Sequence, residues 1–397
     1  MPELEEFAEA LIGQLDVELN EERQIAGFAQ KIDEDSSFTL KFEPIEEIAK
    51  KLLPELKQKT ADFVGISVSE NIKLQFPELR DFKKLKGKKV FCAADAKSYV
   101  DELFNAVANE DLREIAELIK KDTAKFLVFS TYAKMYISQI STTYGDYLDN
   151  TVYLNKFILS RYPKIIVYKQ SQPYESKFDV TNSGYLGALK MTILEELIHS
   201  TQENLQQINK EAVIQVNSVN EELAKIILAL DDKTTTELSE YLQLQIVPDD
   251  FPLAKRANIF FMLNPDHFII EQLGPDVMTY THVDIDPKIS QMIPELLGIY
   301  KKWLKPIQTH HAAFTTMEGM AEFSIQNILK EDQDFQNYLK TFMRTDLSSY
   351  QVRKSMGKDF TKFVYVKLGQ NTFKTLIENP PTTNELKNPQ IYLKRIE

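Results

Sequence analysis

The amino-acid sequence predicts an α+β fold that is predominantly helical, on three observations. Glycine is scarce, with 12 in 397 residues, roughly half its usual share, which disfavours a loop-rich or all-β chain. Apolar residues recur at helical spacing over most of the length. Strand-like alternation is confined to short segments, and the order of strands followed by helices does not give alternating βαβ units.

Along the chain, Leu4, Phe7, Leu11 and Leu15 predict a first helix, and Ile45, Ile48, Leu52 and Leu56 predict another over 44–57. Between them SFTLKFE (37–43) alternates like a strand. Residues 97–140 predict two or three helices joined near Asn109 and Lys121. YGDYLDNTVYLN (144–155) predicts two strands around an Asp149-Asn150 turn, and KIIVYKQ (164–170) predicts a further strand. A polar loop with Pro173, Asn182 and Gly184 leads to a long helix from about Leu186 to Ile208. Helical stretches follow near 218–231 and 235–243, then an irregular segment with Pro248, Pro252 and Pro265. VMTYTHVDI (277–285) reads as a strand, before two helices over 288–304 and 312–330.

Length gives a prior of two or three domains. The reading here is a helical N-terminal region (1–125), a central domain (126–345) with a helical insertion (about 210–310), and a basic helical tail (346–397) packed on the core. Cys92 is the only cysteine, so an intrachain disulfide is excluded, and its apolar surroundings predict an inert core thiol. A formal charge of −12 argues against a nucleic-acid surface. The N-terminus is acidic where a signal peptide is basic, and no run of about 18 apolar residues occurs, so a cytoplasmic protein without a membrane span is expected. Residues 1–50 carry 14 acidic against 4 basic side chains, and residues 347–397 carry 4 against 9. Two solvated surfaces are the simpler reading; electrostatic docking of one on the other is the alternative.

Within ILEELIHSTQENL (193–205), Glu195, Glu196, His199 and Glu203 share one helical face. Glu195 and His199, four apart, can grip one ion from a single turn. Taken alone, such a stripe more often faces water. In the helix over 312–330, however, Glu318 projects from an apolar stripe of Phe314, Met317, Ala321 and Ile325, with Glu322 at its edge. A carboxylate there needs a cationic partner or a metal.

EELIHSTQ (195–202) resembles the metal helix of gluzincin-type zincin metallopeptidases, whose pattern is HExxH followed by a downstream glutamate ligand. MEGMAEF (317–323) is similar to the EGxA segment that carries that glutamate. The C-terminal stretch from GKDFTKFVYVKLG (357–369) to ENPPTTNELKNPQIYL (378–393) resembles the tail of uncharacterised bacterial and archaeal zincin-like peptidases. The likeness spans about 144–393, in pieces, and implies a zincin-like core. It makes His199 and Glu318 metal ligands and Glu196 the catalytic base. Three departures stand out: Glu195 replaces the first histidine ligand, 119 positions separate His199 from Glu318, and Asn388 stands where the tail has histidine.

The resemblance implies a metal-dependent, peptidase-like hydrolase in which Glu196 deprotonates a metal-bound water. The metal would be held by Glu195, His199 and Glu318, with Zn²⁺ favoured and Mn²⁺ or Fe²⁺ made more competitive by the second carboxylate. That carboxylate also weakens acidification of the water. The other reading is a catalytically inactive pseudopeptidase, with or without a metal, acting as a protein-binding or scaffold module. In both, the partner is a peptide or protein. His310 and His311 are expected near a helix end, with a lesser role as substitute ligands. His282 with Asp284, His267, Tyr144 and Tyr147 are weaker candidates for proton donation or groove lining.

Overall fold

The computed structural model describes residues 2–138, 140, 143–169, 173–244, 252–264, 283–342 and 349–397. The chain opens with helices α1 (Pro2–Gln14), α2 (Asp16–Glu34) and α3 (Ile45–Val64), a short strand β1 (Lys73–Gln75), and α4 (Leu79–Lys88). Helices α5 (Lys97–Ala108), α6 (Leu112–Lys121) and α7 (Thr123–Ser138) precede strands β2 (Gly145–Leu148) and β3 (Thr151–Leu154). Then come α8 (Lys156–Lys169), α9 (Glu175–His199), α10 (Glu203–Leu228), α11 (Asp232–Tyr241) and α12 (Pro252–Leu263). The last part contains α13 (Pro287–Met292), α14 (Leu296–Ile328), α15 (Gln333–Thr341), α16 (Ser349–Leu368), α17 (Asn371–Glu378), α18 (Thr383–Lys387) and α19 (Pro389–Ile396). Among the described residues no helix is long and apolar enough to cross a membrane.

Local chemistry accounts for many boundaries. Asp111 caps α6 by accepting the Glu114 N–H at 3.0 Å, while Lys120 and Lys121 close its last turn beside the negative end of the helix dipole. Asp149 and Asn150 both take positive φ, 48° and 56°, as a tight hairpin turn requires, and β2 and β3 pair antiparallel across it. β1 joins the other side of β3 in parallel, giving the order β1-β3-β2 and, among the described residues, leaving β2 on an edge.

Three sequence expectations need correction. Residues 164–169 of KIIVYKQ are not a strand: they complete α8, whose Phe157, Ile158, Ile165 and Val167 are buried, several of them against Ile25 and Ile32 of α2, and Gln170 lies outside the described residues. The apolar pattern over 156–169 is helical, and only its last part mimics a strand. SFTLKFE does alternate, with Phe38, Leu40 and Phe42 half-buried and their neighbours exposed, but it is extended without a ladder. Phe38 meets Tyr168 and Tyr174 instead, and Phe42 meets Phe178 and Tyr185. The loop expected before the long helix is helical from Glu175 on: α9 begins there, not near 186. Gly184 and Gly187 serve helix packing, since a methyl group at either would collide with Thr341 or Asp334 of the adjacent α15 segment.

Helix boundaries further along also shift. α9 ends at His199 and α10 starts at Glu203, and the two helices predicted over 288–330 are the short α13 and one 33-residue helix, α14, which runs through Pro306. The strand predicted over 277–285 lies mostly outside the described residues, as do His267 and His282.

α14, about 50 Å long at 1.5 Å per residue, belongs to two apolar cores. Its first half, with Trp303 and Ile307, packs with α1, α5 to α7, α10 and α12. Its second half, Ala312 to Ile328, packs with α3, α9, β3 and residues of α15 to α19. The acidic helices α1 and α2 lie on α6 and α8, whereas α3 meets the basic tail through Phe63, which packs on Tyr365 and Phe373. Ion pairs of α2 run from Glu22 to Lys83, Arg23 to Glu110 and Asp33 to Lys164.

Candidate metal centre

The last turns of α9 bury Ile193, Leu194, Leu197 and Ile198 completely, which turns Glu195 and His199 toward α14. α14 presents Glu318, 8% exposed, between buried Met317, Met320 and Ala321. Each of Glu195, His199 and Glu318 offers one ligand atom, and all three atoms lie within 4.8 Å of one another. Donors bound tetrahedrally to one ion at 2.0–2.2 Å stand about 3.3–3.6 Å apart, so the side chains would close by up to about 1.5 Å around an ion. One imidazole and two carboxylates fit a divalent cation.

Gln202 determines which face His199 offers. The Met317 carbonyl can only accept, so the Gln202 amide nitrogen faces it, at 3.1 Å. The amide oxygen then faces His199 Nδ1, at 2.9 Å, and takes its proton. In the neutral ring this leaves the Nε2 lone pair directed at Glu318 Oε1, 3.6 Å away. Either a cation or a proton on Nε2 satisfies both acceptors. Gln202 is fully buried in the gap between α9 and α10 and ties α9 to α14; Gln206 adds a bond to the His199 carbonyl, at 2.6 Å.

Lys354, from α16, already places a cation here. Its ammonium pairs with Glu195 and lies 3.9 Å from Glu318 and 3.7 Å from Glu322. Burial works against ionisation of Glu195, but the Lys354 ammonium paired with it holds that carboxyl below its ordinary value. Glu196 behaves oppositely. It is 6% exposed, and burial together with the Glu195 charge pushes its pKa up to about 8. Its carboxyl lies against Gly145 at the start of edge strand β2, where a methyl group would stand 3.5 Å from Glu196 Oε1.

Beyond Glu196, Asp146 of β2 is buried and pairs with Lys86, at 2.5 Å, and with Lys89. Burial lowers both lysines to about 8. Glu195, Glu196, His199 and Glu318 line a cavity of about 2140 Å³ together with residues 143–149, Lys86 and Lys89.

His310 and His311 lie inside α14, not at its end, two turns before Glu318 and apart from the triad. They line the same cavity; His310 Nδ1 meets Asn209 Oδ1 at 2.6 Å, and His311 Nδ1 lies 3.5 Å from the Arg353 guanidinium. Tyr144, just before β2, and Tyr147, within it, both line the cavity. Glu203 also reaches it but starts α10 and does not share the α9 face. Cys92 is half-buried with its thiol pushed up by burial. Asn388 is exposed and bonds back to Asn384, so the tail position resembling a histidine serves a helix end.

Sequence reasoning missed Gln202, Lys354, Lys86, Lys89 and Asp146. KKLKGKK (83–89) looks like a solvated basic face, although buried Phe82 and Leu85 leave its lysines at a packed surface. Gln202 carried one usable signal, lying three residues after a candidate histidine ligand.

No family model and no curated protein matches the chain. Among solved structures, one that it matches is the "crystal structure of a putative hydrolase with a novel fold from Chloroflexus aurantiacus". The match covers 94% of this chain and 97% of that one at 12% identity, with a TM-score of 0.35. A likeness that low carries no argument about this chain, and the functional reading rests on the site.

Proposed function

We propose that this protein is a metal-dependent hydrolase acting on peptide-like substrates, with a zincin-like arrangement of α9 and α14. The observation that supports it most is the convergence of Glu195, His199 and Glu318, with Gln202 holding His199 so that Nε2 faces Glu318. Glu195, His199 and Glu318 would hold the ion, which when bound would supply Lewis acidity toward a carbonyl oxygen and a water. Glu196 takes the role of proton acceptor. A carboxyl held near 8 by burial is protonated at neutral pH, and a divalent charge beside it favours the ionised form that accepts a proton. Edge strand β2 offers an extended chain backbone hydrogen bonds next to Glu196. The cavity exceeds the ~300–1,000 Å³ of small-molecule pockets, which suits a polypeptide segment.

The Lys354 ammonium on Glu195 favours a second reading, a pseudopeptidase whose triad serves a scaffold for protein partners. Elemental analysis of the purified full chain separates the two. One equivalent of Zn, Mn or Fe, lost in His199→Ala, is expected for the hydrolase. Glu196→Gln should keep that metal and lose cleavage of an unfolded protein substrate. Absence of metal after reconstitution leaves the scaffold reading.

A further inference from the structure

We propose that Lys354 is the resident cation of this site, and that a divalent ion enters by displacing its ammonium from Glu195 and Glu318 onto Glu322. The inference rests on the metal reading of the triad and adds what controls occupancy. Three carboxylates, Glu195, Glu318 and Glu322, surround one ammonium whose side chain is 11% exposed. The formal charge of that group falls short of neutrality by two, the charge of one divalent ion. Metal and lysine can therefore reside together once the ammonium moves aside, and expulsion of the lysine is unnecessary.

The fold restricts how it can move. α16 crosses α14 with Gly357 against Gly319, so closely that a methyl group on either would overlap the backbone of the other helix. Lys354 lies one turn from Gly357, and Glu318 is next to Gly319. The lysine backbone is thus pinned over the triad, and only its flexible side chain has freedom. Glu322, one turn along α14 and 28% exposed, is 3.7 Å from the ammonium and stands at the rim. It is the carboxylate that can keep the lysine when the inner pair takes an ion. The stretch EELIH thus differs from HExxH by a glutamate whose charge Lys354 answers, so that the site is closed without metal and opened by it.

The test is a titration of the metal-free full chain with Zn²⁺ by calorimetry, and with Co²⁺ by its visible absorption. Lys354→Met is expected to bind at least tenfold more tightly than the parent, and Lys354→Gln likewise should the methionine variant fail to fold. Lys354→Arg, which retains the charge, should stay within about threefold of the parent. Glu322→Gln should bind several-fold more weakly because the displaced ammonium loses its second seat. In the Lys354→Met background that same change should have little effect. Parent-like affinity in Lys354→Met and Lys354→Gln, with binding still abolished by His199→Ala, overturns the role of Lys354 and leaves the metal site standing. No His199-dependent binding in any variant overturns the metal reading and this inference together.

Discussion

At the scale of single residues, the centre depends on which atom of His199 faces the glutamates. A glutamine does this here, by a chain of hydrogen bonds from the Met317 carbonyl through Gln202 to Nδ1. Removing a partner of a ligating histidine typically costs 10–100-fold in metal affinity. Gln202→Leu is therefore expected to weaken Zn²⁺ binding by at least tenfold. The His199 ¹⁵N shifts should move from one tautomer to a mixture. Gln202→Glu still accepts the Nδ1 proton and should recover most of the histidine geometry, while losing the donor to Met317. An unchanged tautomer in the leucine variant would remove Gln202 from the positioning role. The pair of candidate ligands at 195 and 199 and the glutamate at 318 were legible in the sequence because i, i+4 spacing and a charge in an apolar stripe are local signals. Gln202 and Lys354 were not, because their significance lies in what faces them from other helices.

At the scale of elements, α14 and α16 meet through glycine, and the approach of their backbones sets the distance from Lys354 to Glu318. Gly357→Ala forces a methyl group onto the Thr315 carbonyl. Overpacking of this kind costs about 1–3 kcal/mol, and it should also shift Lys354 and change metal affinity. Gly298 gives the opposite expectation: it is exposed in the first turn of the same α14, and an added methyl group there would meet no neighbour. Gly298→Ala should stabilise by up to about 1 kcal/mol from helix propensity alone. Denaturant midpoints of the two variants check both signs. Legibility failed for elements where a glycine or polar residue sits inside a helix to let another helix approach, as at Gly184 and Gly187. From sequence, the same residues mark a loop.

At the scale of the whole molecule, stability depends on pH through buried groups between the two cores. Burial first, and the Arg353 charge second, lower His310 to about 3 and His311 well below its ordinary value. Both rings stay neutral in the folded chain while the unfolded chain protonates below about 6.5. Their contribution is present above 6.5 and is lost as pH falls toward the folded values, so His310 removes up to about 1.4 kcal/mol per pH unit between roughly 6.5 and 3, and His311 adds a loss of the same sign below 6.5. Denaturant unfolding of the metal-free protein at several pH values in that window should show the slope, and His310→Leu should flatten it. A leucine variant with the parental slope would show that His310 is not held neutral.

Locally encoded features were settled by the sequence alone: the helical bias from spaced apolar residues, the hairpin at Asp149-Asn150, and the candidacy of Glu195, Glu196, His199 and Glu318. Each depends on contacts within a few residues, where periodicity and backbone preference act directly. Tertiary structure alone decided that α14 is one continuous helix shared by two cores, since its packing partners α10 and α16 lie far away in the chain. It also decided that the α4 lysines stand beside Asp146 and that Lys354 stands among three glutamates. Those are encounters between side chains 32 to 159 positions apart. Charge interacts through space, and spacing along the chain carries no record of where a distant helix will place it.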